Sequence, residues 1–392
     1  MIYLSEWLLP VSEHPIHNGG LVVIDYQIVE VGEQAQLLKK YPDHQIKSFG
    51  NAVIAPAWIN THCHLELSAL AGKIPVFRDF VDWIRQLINV RSQIEMQELI
   101  ASAQIAAQKL MRSGCALVGD ISNGQFLSAD LYQDLFERVV FYEILGVDTV
   151  KSEMIFNEAD KVREKENIEA MLTPHALYST SADLIQRIAK SDKILSIHVA
   201  ESPQESMFIK EGSGPFKDFL IELNAWDSDW KIPGQSPVAY LNEMDVLSEK
   251  SLLVHGVQTN KTDFELIKQS GATVCICARS NDLLNVGSAP VNAFIEHDIP
   301  LTIGTDSLAS NVDLDMNNEI YYIYKNYEQL NPATLVRMST LNGAKILGKA
   351  SAYGSLGKGK RARFNVFHSK NKINKEPERF VVSKSWSALE CF

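Results

Sequence analysis

Four histidines and one aspartate follow apolar, strand-like runs, and this pattern constrains the fold more than any other feature of the chain. Residues 52–60 lead to His62 and His64, and the later runs end at His198, His255 and Asp306. Alternate residues of a strand point the same way, so the first two histidines can bind one ion. The ordered arrangement therefore predicts a single metal site assembled from distant segments.

The runs belong to a longer alternating pattern. From residue 52 onward, short apolar runs alternate with stretches of helical periodicity, which is typical of repeated βα units. Eight strands are predicted, at 52–60, 115–121, 138–145, 170–174, 194–198, 251–255, 272–277 and 300–306. Eight parallel strands suffice for a (β/α)8 TIM barrel, whose carboxyl strand ends surround one mouth. We therefore predict an α/β barrel over residues 52–352, with the metal site at its mouth.

The remaining segments have other patterns. Within residues 1–51, the runs 21–24 and 28–31 predict a hairpin, and another strand is predicted at 363–368. Residues 203–250 form a longer connection than one helix needs. We expect this insertion to cover a bound substrate, because long βα loops often carry function. A surface excursion without a role is the alternative.

Composition narrows the class of protein. The chain has 392 residues, of which 46% are hydrophobic and 22% charged, as in ordinary soluble enzymes. Its net charge of -11 argues against a nucleic-acid partner. No apolar run approaches the length of a membrane span, and the first residues make a poor signal peptide. Five cysteines, an odd number, fit free thiols in a reducing cytoplasm.

The predicted ligands indicate hydrolytic chemistry. Zinc or iron held by imidazoles and one carboxylate, with an open position, lowers the pKa of a bound water. Asp306 can accept the proton of that water, and Glu201, just past the strand ending at His198, is the candidate acid. A helix-capping role is the alternative for Glu201. His255 either binds the metal or holds the water, while His175, after the fourth strand, either contacts substrate or is structural.

These residues form motifs that resemble the amidohydrolase superfamily, specifically its mononuclear deaminase branch of cytosine, guanine and adenosine-type deaminases and chlorohydrolases. The matching segments span about residues 52–360 and are 61–66, 173–176, 198–201, 253–255 and 304–307. Segments 212–216, 277–281 and 304–311 look closest to aminofutalosine deaminases. Ala278 departs from the usual pattern, in which proline precedes the Arg-Ser-Asn of 279–281, and Arg363 stands where aspartate is common.

The resemblance implies specific roles for this chain. His62, His64, His198 and Asp306 would bind the metal, Glu201 would shuttle protons and His255 would orient the water. Binuclear relatives carry a modified lysine after the fourth strand, and 172–175 offers none, so one divalent ion is expected. The family pattern also implies that residues 1–51 and 353–392 pair into a small β-sandwich.

Substrate recognition is expected to come from other groups at the mouth. The candidates are His175, Arg279, Glu66 and Ser307. The predicted activity is release of ammonia from an amino-substituted heteroaromatic ring, such as an adenine-type nucleoside like aminofutalosine. The alternatives are a chlorohydrolase or cyclic amidohydrolase, or, in another class, a catalytically silent barrel scaffold. A homo-oligomer is possible, and zinc is favoured over iron.

Overall fold

The computed structural model describes residues 1–123, 135–165, 169–190, 193–228 and 230–392. In chain order, its strands are β1 (Ile2–Leu8), β2 (Ile16–Ile24), β3 (Gln27–Glu33), β4 (Ile46–Ser48), β5 (Ala52–Pro56), β6 (Trp58–Cys63), β7 (Cys115–Ser122), β8 (Glu137–Ile144), β9 (Ala170–Pro174), β10 (Leu195–Val199), β11 (Ser251–His255), β12 (Thr273–Ile276), β13 (Leu301–Ile303), β14 (Phe364–His368) and β15 (Ala388–Cys391). Both chain termini and the middle of the chain therefore contribute strands.

Helices separate most of the later strands. The α-helices are α1 (Gln34–Lys40), α2 (Phe80–Ser92), α3 (Met96–Arg112), α4 (Ser152–Lys165), α5 (Ala182–Ala189), α6 (Pro203–Glu211), α7 (Pro215–Glu222), α8 (Pro237–Glu243), α9 (Lys261–Ser270), α10 (Ala278–Leu283), α11 (Val291–Glu296), α12 (Met316–Asn326), α13 (Pro332–Met338), α14 (Leu341–Ile346) and α15 (Pro377–Val382). Short 3-10 helices occupy Leu65–Leu70 and Thr149–Lys151. In the described part of the chain, no helix is both long and apolar enough to cross a bilayer.

The strands that carry the candidate ligands form two parallel sheets. One has the order β6-β7-β8-β9 and the other β10-β11-β12-β13. Single bridges link their edge strands near the carboxyl ends, from Cys63 to Asp306 and from Ala176 to His198. All residues of β6, β10 and β11 are buried, as expected for strands covered on both faces. This arrangement brings the carboxyl ends of distant strands together.

The terminal segments share a third sheet of seven strands. Its order is β15-β14-β5-β1-β2-β3, with β4 paired to β1. The predicted hairpin is confirmed, since β2 and β3 pair antiparallel up to Ile24 and Gln27. The two turn residues, Asp25 and Tyr26, have φ of 48° and 62°, the left-handed geometry that matches strand twist in tight hairpins.

The predicted first barrel strand, 52–60, is wrong as a single strand. Its first half is β5, which pairs with β1 and β14 in the terminal sheet, and its second half starts β6. Pro56 has no backbone N–H to continue the ladder, and the N–H of Ala57 instead donates to Arg363 O at 3.1 Å. The break was hidden because the residues on both sides of it are buried and apolar.

Candidate active site

Four side chains of ligand type converge at the carboxyl ends of β6, β10 and β13. The nitrogens of His62, His64 and His198 and the carboxylate of Asp306 all lie within 4.8 Å of one another, and all four residues are buried. The Nε2 atom of His64 lies 3.2 Å from that of His62 and 3.4 Å from that of His198. Three imidazoles and one carboxylate facing a common point form a donor set suited to zinc or iron.

The backbone explains how Asp306 reaches the histidines. A Cβ on Gly304 would lie 2.9 Å from both Cβ and O of His62, so only glycine allows this approach between β13 and β6. Asp306 then adopts a φ of 58°, and its N–H donates to His62 O at 3.1 Å. The hydroxyls of Ser280 and Ser310 each donate to Asp306 Oδ2 at 2.7 Å, which leaves Oδ1 facing the histidines.

Burial keeps these imidazoles in the form that binds metal. It lowers the pKa of His62 well below its ordinary value and that of His64 to about 3, with neighbouring histidines adding to the effect for His62. His62 Nδ1 is buried without a hydrogen-bond partner among the described residues. Neutral, closely spaced ring nitrogens gain more from a shared cation than from one another, so the residues present fit a bound divalent ion.

Glu201 and His255 form a second pair beside this group. His255 Nε2 lies 3.5 Å from Glu201 Oε1, and His255 Nδ1 lies 2.8 Å from Asn281 Oδ1. An amide oxygen can only accept, so Nδ1 carries the proton and Nε2 faces Glu201 with its lone pair. Burial lowers the pKa of His255 to about 4 and raises that of Glu201 well above its usual range. A neutral imidazole therefore faces a carboxyl group that favours its protonated form.

A neighbouring acid holds Glu201 in place. The backbone N–H of Glu201 donates to Glu205 Oε2 at 2.8 Å, across a turn in which Ala200 has a φ of 52°. Burial raises the pKa of Glu205 to about 7, although backbone N–H groups of this turn oppose the rise. Glu205 on α6 thus anchors the backbone that carries Glu201, a link that the sequence did not reveal.

One cavity, of about 220 Å3, opens onto these groups. Its titratable and other polar lining consists of His64, Glu66, Arg91, Asn123, Glu143, His175, His198, Glu201, Asp306 and Ser307. The rest of the lining is aliphatic or aromatic and consists of Leu67, Phe80, Trp83, Ile84, Leu87, Ile88, Leu145 and the titratable Tyr178. Candidate ligands, a candidate acid and an apolar wall therefore share one space, the usual composition of a site for a small organic substrate.

Three of the four candidate substrate contacts line this cavity. His175 Nδ1 lies 2.6 Å from the hydroxyl of Ser179, and Ser307 lies next to Asp306. Both Glu66 oxygens accept hydrogen bonds from Asn123, at 2.9 Å from its N–H and 2.8 Å from its side-chain amide.

Arg279 is placed differently. Its guanidinium forms a bidentate ion pair with Asp313, with Nη1–Oδ1 and Nη2–Oδ2 distances of 2.8 and 3.0 Å. Arg279 is absent from the described lining of the cavity. The hypothesis that Arg279 contacts substrate receives no support from this position.

Sequence reasoning missed the wall that α2 contributes. Phe80, Trp83, Ile84 and Leu87 recur at helical spacing, and this periodicity was the available signal. The insertion 203–250 contributes α6, α7 and α8 but no residue of the described lining. Phe216 of α7 instead stacks on Tyr178 with ring centroids 4.0 Å apart. The same ring meets that of Phe80 edge-on at 6.2 Å, so the insertion supports two lining residues from behind.

The buried acid Glu319, which contacts the start of α10, leads to a testable prediction about how the stability of the protein depends on pH. Burial raises the pKa of Glu319 from 4.5 to about 7, although the hydrogen bonds that Arg279 N and Asn311 Nδ2 donate to its carboxylate oppose this rise. Between these values the folded protein holds a proton that the unfolded chain releases, so stability falls as pH rises. Relative to Glu319→Gln, the wild type should lose about 3 kcal/mol between pH 4.5 and pH 8. Denaturant unfolding of both proteins measures this, and identical pH profiles would contradict it.

Most of the chain matches one known family. A model of the amidohydrolase family covers residues 53–387. The chain belongs to the amidohydrolase family. Aminodeoxyfutalosine deaminase of Deinococcus radiodurans is 30% identical to this amidohydrolase over 348 residues, which cover 84% of the chain and 81% of the relative. Adenosine deaminase of Helicobacter pylori is 29% identical over 384 residues, or 94% and 92% of the two chains. This amidohydrolase is an enzyme that hydrolyses carbon–nitrogen bonds other than peptide bonds, as these deaminases do.

Solved structures show the same fold. The Helicobacter pylori aminofutalosine deaminase in complex with methylthio-coformycin has a TM-score of 0.86 and 24% identity, covering 100% of this amidohydrolase and 98% of that chain. The atrazine chlorohydrolase of Arthrobacter aurescens complexed with zinc has a TM-score of 0.77 and 16% identity, covering 97% and 91%. At these identities the likeness establishes the α/β TIM-barrel fold of the amidohydrolases.

Proposed function

We propose that this amidohydrolase is a metal-dependent deaminase of adenine-type nucleosides, with aminodeoxyfutalosine as the leading candidate substrate. The observation that carries the proposal is the pairing of Glu201 with His255 at 3.5 Å beside the four-ligand group, with Glu201 and three of the four candidate ligands lining one cavity. The curated relatives that match most of the chain are named as deaminases of aminodeoxyfutalosine and adenosine, which supports the same substrate class. The relatives do not favour a chlorohydrolase, a cyclic amidohydrolase or a silent scaffold.

The proposed cofactor is one divalent ion per chain, held by His62, His64, His198 and Asp306. We propose zinc, the metal in the chlorohydrolase neighbour, and iron is the alternative. When bound, such an ion supplies the nucleophile by lowering the pKa of a coordinated water towards neutrality.

The chain's own side chains would move the protons. Asp306 Oδ2 is held by two serine hydroxyls, so Oδ1 stays oriented to accept a proton from the attacking water. Glu201, protonated at rest, gives its proton to the ring nitrogen next to the carbon under attack. It then takes the remaining proton of the water-derived hydroxyl and gives it to the amino group, which leaves as ammonia, and the proton accepted by Asp306 returns to Glu201. His255 keeps its neutral Nε2 towards Glu201 and aligns the water.

The wider organisation is also proposed. The eight strands β6 to β13 would close into one barrel, and the bridges at both pairs of edge strands support this closure. Residues 1–51 and 353–392 would form a small β-sandwich domain beside a barrel domain of 52–352, with β5 extending the terminal unit. We place the enzyme in the cytoplasm, with a small heterocyclic substrate, no nucleic-acid or membrane partner, and possible homo-oligomers.

Ammonia release tests the proposed function. Metal-replete enzyme would be assayed with adenosine, methylthioadenosine, S-adenosylhomocysteine, aminodeoxyfutalosine, free aminopurines and pterins. We expect the highest kcat/KM with an adenine-type nucleoside, because buried polar partners for ribose and ring nitrogens discriminate strongly. Ammonia from pterins or free bases alone would overturn the nucleoside assignment, and chloride release from a chlorinated heterocycle without any deamination would favour the rival hydrolase.

A further inference from the structure

One cationic side chain in the cavity has no role in the reaction described above. Arg91 lies in the last turn of α2, is half-buried and lines the cavity with the candidate catalytic groups. Within the described ranges, its guanidinium has no hydrogen bond or ion pair. The other two arginines of this region are both paired, Arg78 with Asp82 and Arg85 with Glu222. Among the described residues, the cavity therefore contains a positive charge that no ion pair neutralises.

The position of Arg91 along α2 sets its distance from the reacting centre. Trp83 on the same helix donates its indole N–H to Ala309 O at 3.4 Å, which places that turn against the loop following Asp306. Arg91 lies eight residues further on, about 12 Å along the helix axis at 1.5 Å per residue. Between these two positions, Ile84, Leu87 and Ile88 line the cavity. The cavity thus has an apolar strip that runs from the candidate metal ligands towards a guanidinium.

Glu66 is the acid of the lining that most directly competes for Arg91, but its oxygens are already used. Oε2 accepts the backbone N–H of Asn123 at 2.9 Å, and Oε1 accepts its side-chain amide at 2.8 Å. Burial raises the pKa of Glu66 to about 7 and the charge of Arg91 opposes that rise, but among the described residues no hydrogen bond or ion pair joins the two side chains. A guanidinium presents a planar fork of donors that matches a carboxylate, and beside an apolar wall this pairing is stronger than in water.

We propose that Arg91 binds a carboxylate at the end of the substrate remote from the amino-bearing ring. This inference rests on the proposed function and narrows its substrates to adenine-type nucleosides whose sugar carries an apolar extension ending in an anionic group. Arg91 would be a specificity-determining residue, because a neutral nucleoside gains nothing from it. The apolar strip of α2 would contact the extension between the ring and the carboxylate.

A matched pair of ligands tests the proposal. The anionic ligand is 5′-S-(4-carboxybutyl)-5′-thioadenosine, and the neutral one is 5′-S-pentyl-5′-thioadenosine. Calorimetric Kd and steady-state ammonia release would be measured for the parent, Arg91→Met, Arg91→Lys and the control Arg85→Met, whose arginine is paired outside the cavity. We expect Arg91→Met to weaken binding of the anionic ligand by about 10- to 100-fold, the usual value of a charge-assisted hydrogen bond, with the change in KM rather than kcat.

The neutral ligand and the control variant separate the outcomes. Binding of the neutral ligand should not change in Arg91→Met, Arg91→Lys should lie between parent and Arg91→Met, and Arg85→Met should behave like the parent. Equal weakening of both ligands would assign Arg91 to helix stability and overturn the proposal, as would an unchanged Kd for the anionic ligand. Absence of ammonia with either ligand would defeat the proposed function, whereas the binding contrast would still decide the role of Arg91.

Discussion

Replacing Glu201 with glutamine should lower kcat by about 10²- to 10⁴-fold, the range for loss of one general acid–base group. Glutamine keeps the size of the side chain but cannot give a proton to a ring nitrogen and take another from water. The residue is buried and faces His255 at 3.5 Å, so no bulk water can easily replace it. The expected result is an enzyme that still binds substrate and turns it over very slowly.

Metal content is the control for this variant. Glu201 is not in the four-ligand group, so Glu201→Gln should retain the same metal per chain as the parent. An unchanged melting temperature would show that the turn anchored by Glu205 is intact. Near-normal turnover with normal metal content would remove Glu201 from the mechanism.

The second large effect is expected from a matched pair of histidine variants. His64→Ala removes a proposed ligand, so the protein should lose its metal and its turnover should fall by on the order of 10³-fold or more, the stabilisation that a metal ion supplies. His255→Ala should lower turnover by about 10²-fold or more and yet retain the metal. Metal analysis and ammonia release on the same samples compare the two.

This pair decides between the two roles that sequence reasoning left open for His255. Its Nδ1 is held by Asn281, and it lies outside the four-ligand group, so we expect orientation of the water rather than metal binding. Loss of metal from His255→Ala, equal to that in His64→Ala, would make His255 a ligand and refute this assignment.

Much of the arrangement was predictable because its signals are local. Each barrel strand from β7 to β13 is a short apolar run whose hydrophobic periodicity and flanking residues both indicate a strand. Strand β9 has the predicted bounds, Ala170–Pro174. The candidate ligands could be found because they follow such runs directly. The carboxyl ends of parallel strands meet at one edge, so sequence order alone was enough to group them.

What could not be predicted depends on contacts between distant residues. The sequence suggested Arg279 as a candidate for substrate recognition. Its partner Asp313 lies 34 residues away, so no local sequence pattern indicates this ion pair. The serine hydroxyls on Asp306 come from two separate segments, α10 and the loop after β13. The break between β5 and β6 is set by pairing with β14 near the other end of the chain.

Titration of metal-free enzyme with zinc, followed by ammonia release from an adenine-type nucleoside, tests the central claim most directly. Among the described residues, one group of four candidate ligands comes together, so activity should rise linearly and stop rising at one equivalent of zinc per chain. Full activity in the metal-free protein, or a break only at two equivalents, would contradict a deaminase that works with a single ion.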